Sequence, residues 1–252
     1  MKNVYWSMSY PPNLYRERNI LHDTPDPLLK ELRQQQQDID LTKPHYLKCP
    51  AFLGATGNVF IVRNTLHMRV AVRGSQLIPM DEESKQSIGG IMIRPPTRAG
   101  YPIIGYWTHP LFFSPEPLMM AVMPAFMHHS DAQTKMHYIP GAFDIGKWYR
   151  PVDSAFELHP GTTEFTFKPG DPMFYVKFFT EERVNLIRYQ LTEELSSMAH
   201  GCTQYSQFVP HSPLERIYGV FEQAEIRSRL LKLIEENLLV ESDQNQSIEE
   251  AR

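Results

Sequence analysis

The sequence predicts a mainly β fold, a sandwich or barrel of short strands with a peripheral N-terminal helix and C-terminal helices. Three observations carry this. The chain holds 21 prolines against 13 glycines, spread through its first two thirds, where they would break long helices but are tolerated at turns and strand edges. Between residues 58 and 177 the apolar residues come in short β-branched or aromatic runs, separated at intervals of about ten residues by turn-forming clusters. Helical spacing of apolar residues occurs only after Asp26 and beyond Thr180.

Residues 1–44 read as an extended, aromatic-rich segment (Tyr5, Trp6, Tyr10, Tyr15) laid over the core, then a helix over 27–37 with Asp26 as N-cap and Pro27 at the first helical position. Residues 45–180 read as the β domain. Val59–Val62 is a β-branched run, and Leu66, Met68, Val70 and Val72 alternate with His67, Arg69 and Arg73, a half-buried strand whose basic side chains share one face. Asp81–Ser87 reads as a polar loop. Ile88–Ile93, Tyr101–Trp107, Leu111–Phe113 and Leu118–Met123 read as short strands, and Phe165 and Phe167, the Lys168–Pro172 turn and Met173–Val176 read as a hairpin. Residues 181–240 read as helices. The first runs from Thr180 to about Ala199, with Val184, Ile187, Leu191 and Leu195 on one face. The second starts at Ser212-Pro213-Leu214-Glu215, a capping-box pattern, and bends near Gly219 or Ile226. Residues 241–252 read as a disordered tail.

Composition narrows the function classes. The net charge of −4 argues against a nucleic-acid partner, which normally requires a basic face. The two cysteines, Cys49 and Cys202, have no metal-knuckle or disulfide-framework spacing, which fits a reducing, cytoplasmic compartment. The most apolar run, Pro117–Met127, is too short to span a bilayer and contains Pro117 and Pro124. No membrane partner is expected, and the C-terminal helices are the place where a homo-oligomer would form.

Ten histidines raise the question of a metal. His129-Ser130-Asp131 is an H-x-D of the kind that supplies two ligands of an Fe(II) facial triad, and His159 has better strand context for the third than His200 or His211. Against this, His128 and His129 read as loop residues with Asp131 capping a turn. Trp148-Tyr149-Arg150-Pro151 places an arginine beside two aromatics, able to stack or to pair with a carboxylate. Trp148 and Arg150, with His67 and Arg69, are therefore the candidate binding residues. No nucleophile elbow or phosphate loop is present, and Asp144, Asp153 and Glu157 cannot be paired for acid–base work from sequence spacing. Trp107, Phe112, Phe113 and Phe126 read as core rather than as a pocket.

Lys48–Phe52, Asn58–Arg63, Phe143–Pro151 and Pro169–Lys177 together resemble an uncharacterised family found in tailed phages and scattered bacterial genomes. The resemblance covers about residues 45–180 and brings no catalytic residue. The Pro-Gly-Asp turn before an apolar strand is similar to turns of cupin-type barrels, which implies a jelly-roll or cupin-like β-sandwich; the H-x-H metal motif of cupins does not occur here. The expectation is a phage-encoded or bacterial, non-catalytic binding or accessory protein. The alternatives are a cupin-type non-haem iron oxygenase of the 2-oxoglutarate type using His129, Asp131 and His159, and a virion structural protein assembled through its C-terminal helices.

Overall fold

The computed structural model describes residues 1–9, 24–36, 45–96, 98–106, 109–208 and 212–239. The expected roles of Tyr10, Tyr15, Trp107 and His211, the last residue of the 27–37 helix and the tail after 240 fall outside the described residues. From the N-terminus, β1 (Lys2–Ser9) and β2 (Asp26–Pro27) lead to α1 (Leu28–Gln34), a 3-10 turn (Tyr46–Lys48) and α2 (Pro50–Thr56). Next come β3 (Val59–Arg63), β4 (Met68–Arg73), β5 (Gln76–Pro79), α3 (Glu82–Ser87) and a second 3-10 turn (Ile88–Gly90). β6 (Ile91–Arg94), β7 (Ile103–Tyr106), β8 (His109–Phe113) and β9 (Met119–Pro124) run to α4 (Asp131–Lys135). β10 (Met136–Tyr138), β11 (Gly141–Asp144), β12 (Ser154–Leu158), β13 (Glu164–Phe167), β14 (Pro172–Phe178) and β15 (Val184–Arg188) complete the strands, and α5 (Glu193–Phe208), α6 (Leu214–Gln223) and α7 (Ile226–Glu236) follow.

The chain is mainly β, with sheets ordered β11-β9-β14-β3-β2, β10-β12-β7-β6, β15-β1-β8 and β13-β4-β5. β3 and β14 are buried on both faces, which explains their uninterrupted apolar sequences. Inward, Phe60, Val62, Phe174, Val176 and Phe178 join the main core; outward, Val59, Ile61 and Tyr175 pack with Leu28 and Leu32 of α1. β4 alternates as its sequence predicts: Met68 and Val70 are buried, Arg69 and Arg73 exposed.

Several expectations are corrected. The described part of the N-terminal aromatic segment, Lys2–Ser9, is no cover. β1 is the central strand of its sheet, parallel to β15 and antiparallel to β8, with Val4 and Trp6 fully buried. Residues 184–188 are therefore strand rather than helix. Val184 and Ile187 satisfy a helical spacing, but pairing with β1 from the far end of the chain decides the conformation, and the helix starts at Glu193. Both terminal segments thus contribute a strand to one sheet with β8. Within the expected Asp81–Ser87 loop, Glu82–Ser87 is a short helix, with the side chain of its N-cap Asp81 accepting from Ser84 N (2.8 Å). The Ser212 capping box does not form: Pro213 caps α6 without a side-chain bond, and Ser212 Oγ is buried with no partner among the described residues. The bend falls at Glu225, whose φ of 51° lies in the left-handed region.

The expected 165–176 hairpin is a corner between two sheets. β13 pairs with β4, whereas β14 pairs with β3 and β9. The chain thus passes between these two sheets twice, at 64–67 and at 168–171, and Asn64 stitches the two corners together. Its backbone N–H donates to Asp171 O (2.9 Å) and its carbonyl accepts from Gly170 N (2.8 Å). Its side-chain Nδ2 donates to Leu66 O and to Lys168 O (2.8 Å), and Oδ1 accepts from the Tyr106 hydroxyl (2.7 Å). Corner crossings of this kind are how stacked sheets share strands.

The C-terminal helices cover the outer face of the β15-β1-β8 sheet. Leu195, Ala199, Phe221, Leu230 and Ile234 pack with Tyr5, Leu111, Phe113, Tyr149 and Tyr189. Their apolar faces are thereby used within the chain, so a contact between copies would have to use their outer faces. No helix of the described residues is long and apolar enough to cross a membrane.

Candidate ligand-binding site

One end of the main core is hollow. A cavity of about 190 Å³ lies between the end of β9 and the start of β14 on one side and β10 and β12 on the other, with α4 across it. Its apolar wall is Phe126, Met136, Tyr138, Phe156, Phe167 and Met173; its polar groups come from His128, His129, His137 and Gln133. Phe126, expected in the core, is half exposed and packs edge-on against Tyr175 (5.1 Å between ring centroids). Phe112 and Phe113 are core residues as expected.

The helix over the cavity is firmly held despite its five residues. Ser130 and Gln133 form a reciprocal capping box, which satisfies two of the free donors of the first turn. Gln133 Nε2 also donates to Pro172 O (2.6 Å), which ties the helix to the start of β14. At the other end, His159 N and Thr162 Oγ donate to Lys135 O (2.8 and 3.2 Å).

Two polar clusters flank the opening. In the first, His128 Nε2 lies 2.8 Å from Glu31 Oε1, and Nδ1 faces the Tyr175 hydroxyl, which also accepts from Met127 N (3.3 Å). With Nε2–H donating to Glu31 and Nδ1 accepting from Tyr175, both ring nitrogens are used. Arg63 pairs with the same Glu31. The order Tyr–His–Glu has the form of a nucleophile–base–carboxylate relay, but Tyr175 is fully buried and burial pushes its phenol well above its ordinary value. The cluster instead locks α1 and the loop after β9 onto β14. In the second, Glu157, 6% exposed on β12, is held by Arg98 and faces His137 Nε2 (3.4 Å), while His137 Nδ1 faces His159 Nε2 (3.5 Å). Arg98 also stacks over Tyr101 (3.6 Å).

The residues expected to bind iron are not gathered into a ligand set. Asp131 is the first residue of α4, where it pairs with Lys135 (2.9 Å) and accepts from Thr166 N (2.8 Å). His159 Nδ1 faces Thr134 O (3.1 Å), and its ring lies against His137 rather than His129. His129 is exposed at the cavity. Among the described residues no group of three His, Cys, Asp or Glu side chains could hold a metal ion. Facial ligation needs three donors converging on one point, so these residues do not fit Fe(II). His200, the second candidate, contacts Gln204 on the surface of α5 (2.9 Å).

His67 and Arg69 are engaged locally: His67 Nε2 meets Asp81 Oδ2 at 3.2 Å and Arg69 meets Glu164 at 4.0 Å. The Ser84 hydrogen bonds, and after them His67, hold the Asp81 carboxyl down to about 2. A depressed carboxylate contributes stability above its unfolded value, about 3.9, and loses it as pH falls through the folded value. Asp81→Asn should therefore differ from the parent by a constant margin above about pH 5, with the margin shrinking between about 4 and 2. Amide exchange at Ser84 checks this; a margin flat across that window would contradict it.

Trp148 and Arg150 lie together in the loop between β11 and β12, with the guanidinium carbon 4.7 Å from the Trp148 ring. Of the other two candidate binding residues, His67 immediately precedes β4 and Arg69 lies in it.

No protein-family model, no curated protein and no solved structure matches this chain. The site has to be read from its own geometry.

His128, Glu31, Gln133, His137, Tyr138 and Glu157 all shape the cavity or its flanks, and sequence reasoning singles out none of them as a site residue. The one local signal among them is the Ser130-x-x-Gln133 capping pattern.

Proposed function

We propose that the chain is a non-catalytic binding or accessory protein that takes a small, neutral or anionic, single-ring molecule into the cavity beneath α4. The cavity carries this reading. An apolar protein cavity of about 150 Å³ is enough for benzene, whereas drug-sized ligands fill about 300 Å³ or more. The 190 Å³ available here suits one ring with one substituent. Phe126, Tyr138, Phe156 and Phe167 offer ring edges and faces, and the two methionines among the lining adapt to the shape of the guest. Among the described residues no Asp or Glu lines the cavity while three histidines do, which disfavours a cationic guest.

The polar groups around the opening support binding over chemistry. His128 is tied at both nitrogens, and Tyr175 is buried with its phenol pushed up; on α5, outside the cavity lining, burial pushes the Cys202 thiol up to about 11. A nucleophile with a lowered pKa beside a free base is what covalent catalysis would need. The finer fold reading, a jelly-roll or cupin-like sandwich of a phage or bacterial accessory protein, is part of this proposal and is supported by two antiparallel sheets sharing one core with the cavity at its end.

Calorimetric titration with phenol, benzoate and benzylamine tests the reading. Phenol or benzoate should bind, with benzylamine at least roughly tenfold weaker because its ammonium finds no carboxylate in the wall. Ala132→Leu, which adds three carbons at a buried lining position, should abolish binding while the protein still melts cooperatively. Binding unaffected by that filling, or none of the three binding, would remove the cavity as the site.

A further inference from the structure

Arg150 is a partly buried cation to which the described residues give no counter-ion of its own. It follows the buried Trp148 and Tyr149, and its guanidinium lies over the Trp148 ring at 4.7 Å and the Phe143 ring at 5.9 Å. Its Nε donates to Pro151 O at 2.9 Å. Among the described residues, neither Nη group has a hydrogen-bond acceptor or an ion-pair partner. The nearby carboxylate is Asp153, and Arg94 grips it bidentately, at 2.9 and 3.0 Å.

Burial accordingly holds the Arg150 guanidinium below its ordinary value; Asp153 and Tyr138 oppose that effect and Arg94 adds to it. A desolvated guanidinium with its outer donors unfilled is costly until an acceptor arrives. The fork of two Nη groups matches the spacing of two oxygens on one carboxylate or phosphate, which a lysine cannot reproduce.

We propose that Arg150 is an oxyanion site, taking a carboxylate or phosphate group through its two Nη groups with the Trp148 indole against the guanidinium face. The site is separate from the cavity. Tyr138 stands between them: its ring lines the cavity and its hydroxyl donates to Asp153 O at 2.6 Å.

The full chain, labelled with nitrogen-15, is titrated with sodium acetate and with sodium phosphate at ionic strength held constant by sodium chloride. The Arg150 Nε–H resonance and the Trp148 indole N–H, which donates to Cys202 O at 3.3 Å, report the site. Both should shift and saturate in the millimolar range, while Arg94 and Arg98 stay in place. Tighter acetate assigns a carboxylate and tighter phosphate a phosphoryl group. Arg150→Lys should melt cooperatively and weaken binding by roughly tenfold. If that variant does not fold, the parent titration decides alone. No saturable shift at Arg150 with either anion, or the same affinity in a folded Arg150→Lys protein, would overturn the proposal and leave Arg150 as a loop lock.

Discussion

Asn64→Ala should destabilise the protein by about 2–4 kcal/mol, because buried polar partners that lose a hydrogen bond cost about 1–3 kcal/mol each. Asn64 is 2% exposed. The substitution withdraws the donor to two carbonyls, Leu66 O and Lys168 O, and the acceptor used by the Tyr106 hydroxyl. These bonds join the corner after β3 to the corner before β14. Asn64→Asp is the sharper variant. It conserves shape and the acceptor for Tyr106 but points a carboxylate oxygen at two carbonyl oxygens, so it should be at least as damaging as alanine. Urea unfolding of both variants checks this. If the Asn64→Asp protein were nearly as stable as the parent, the position would only fill space.

Gly146→Ala should cost still more, about 3–5 kcal/mol or the fold itself, the range of steric changes that backbone cannot relieve. A Cβ there would overlap Glu116 O and stand 2.6 Å from Glu116 C and 2.9 Å from Pro117 N. All three are main-chain atoms. The two segments cannot separate cheaply, because the Asp144 carboxylate accepts from both Leu118 N (2.8 Å) and Gly146 N (2.9 Å), and Ile145 N donates to Leu118 O (3.0 Å). Arg227 of α7 also donates to Gly146 O, so the loop anchors the C-terminal helices. Gly105→Ala is the control. Its Cβ would meet only the Arg94 side chain, with Cζ at 3.0 Å, and that chain can swing aside at the expense of a partly exposed ion pair worth about 1 kcal/mol or less. Thermal melts of the two alanine variants should differ widely.

What the sequence makes legible follows from where local chemistry decides. β4 can be read because one face meets solvent, so Met68 and Val70 alternate with Arg69 and Arg73. β3 and β14 can be read because burial on both faces demands continuous apolar runs. β15 cannot: Val184, Ile187, Leu191 and Leu195 fit a helical stripe, and only pairing with β1 makes the first two strand residues. The 168–172 turn is legible as a turn, yet which sheet receives each arm is set by partners β4 and β3. Capping chemistry is misplaced for a similar reason, since Ser212 and Ser130 carry comparable local patterns and the structure closes the box only at Ser130.

The site is less legible than the fold. His128 meets Glu31 across 97 residues of sequence, and His137 meets His159 across 22. No spacing rule reaches that far. The H-x-D pattern falls beside the cavity, but its two side chains part: His129 lines the cavity, whereas Asp131 serves α4 and β13.

The central claim, a ring-sized ligand beneath α4, is tested most directly by methyl NMR of the 12 methionines during titration with phenol. Met136 and Met173 line the cavity, while Met80 and Met119 are exposed elsewhere. The account predicts saturable shifts at Met136 and Met173, with Met80 and Met119 unmoved. Shifts confined to the exposed methionines, or growing linearly at all of them without saturation, would contradict it.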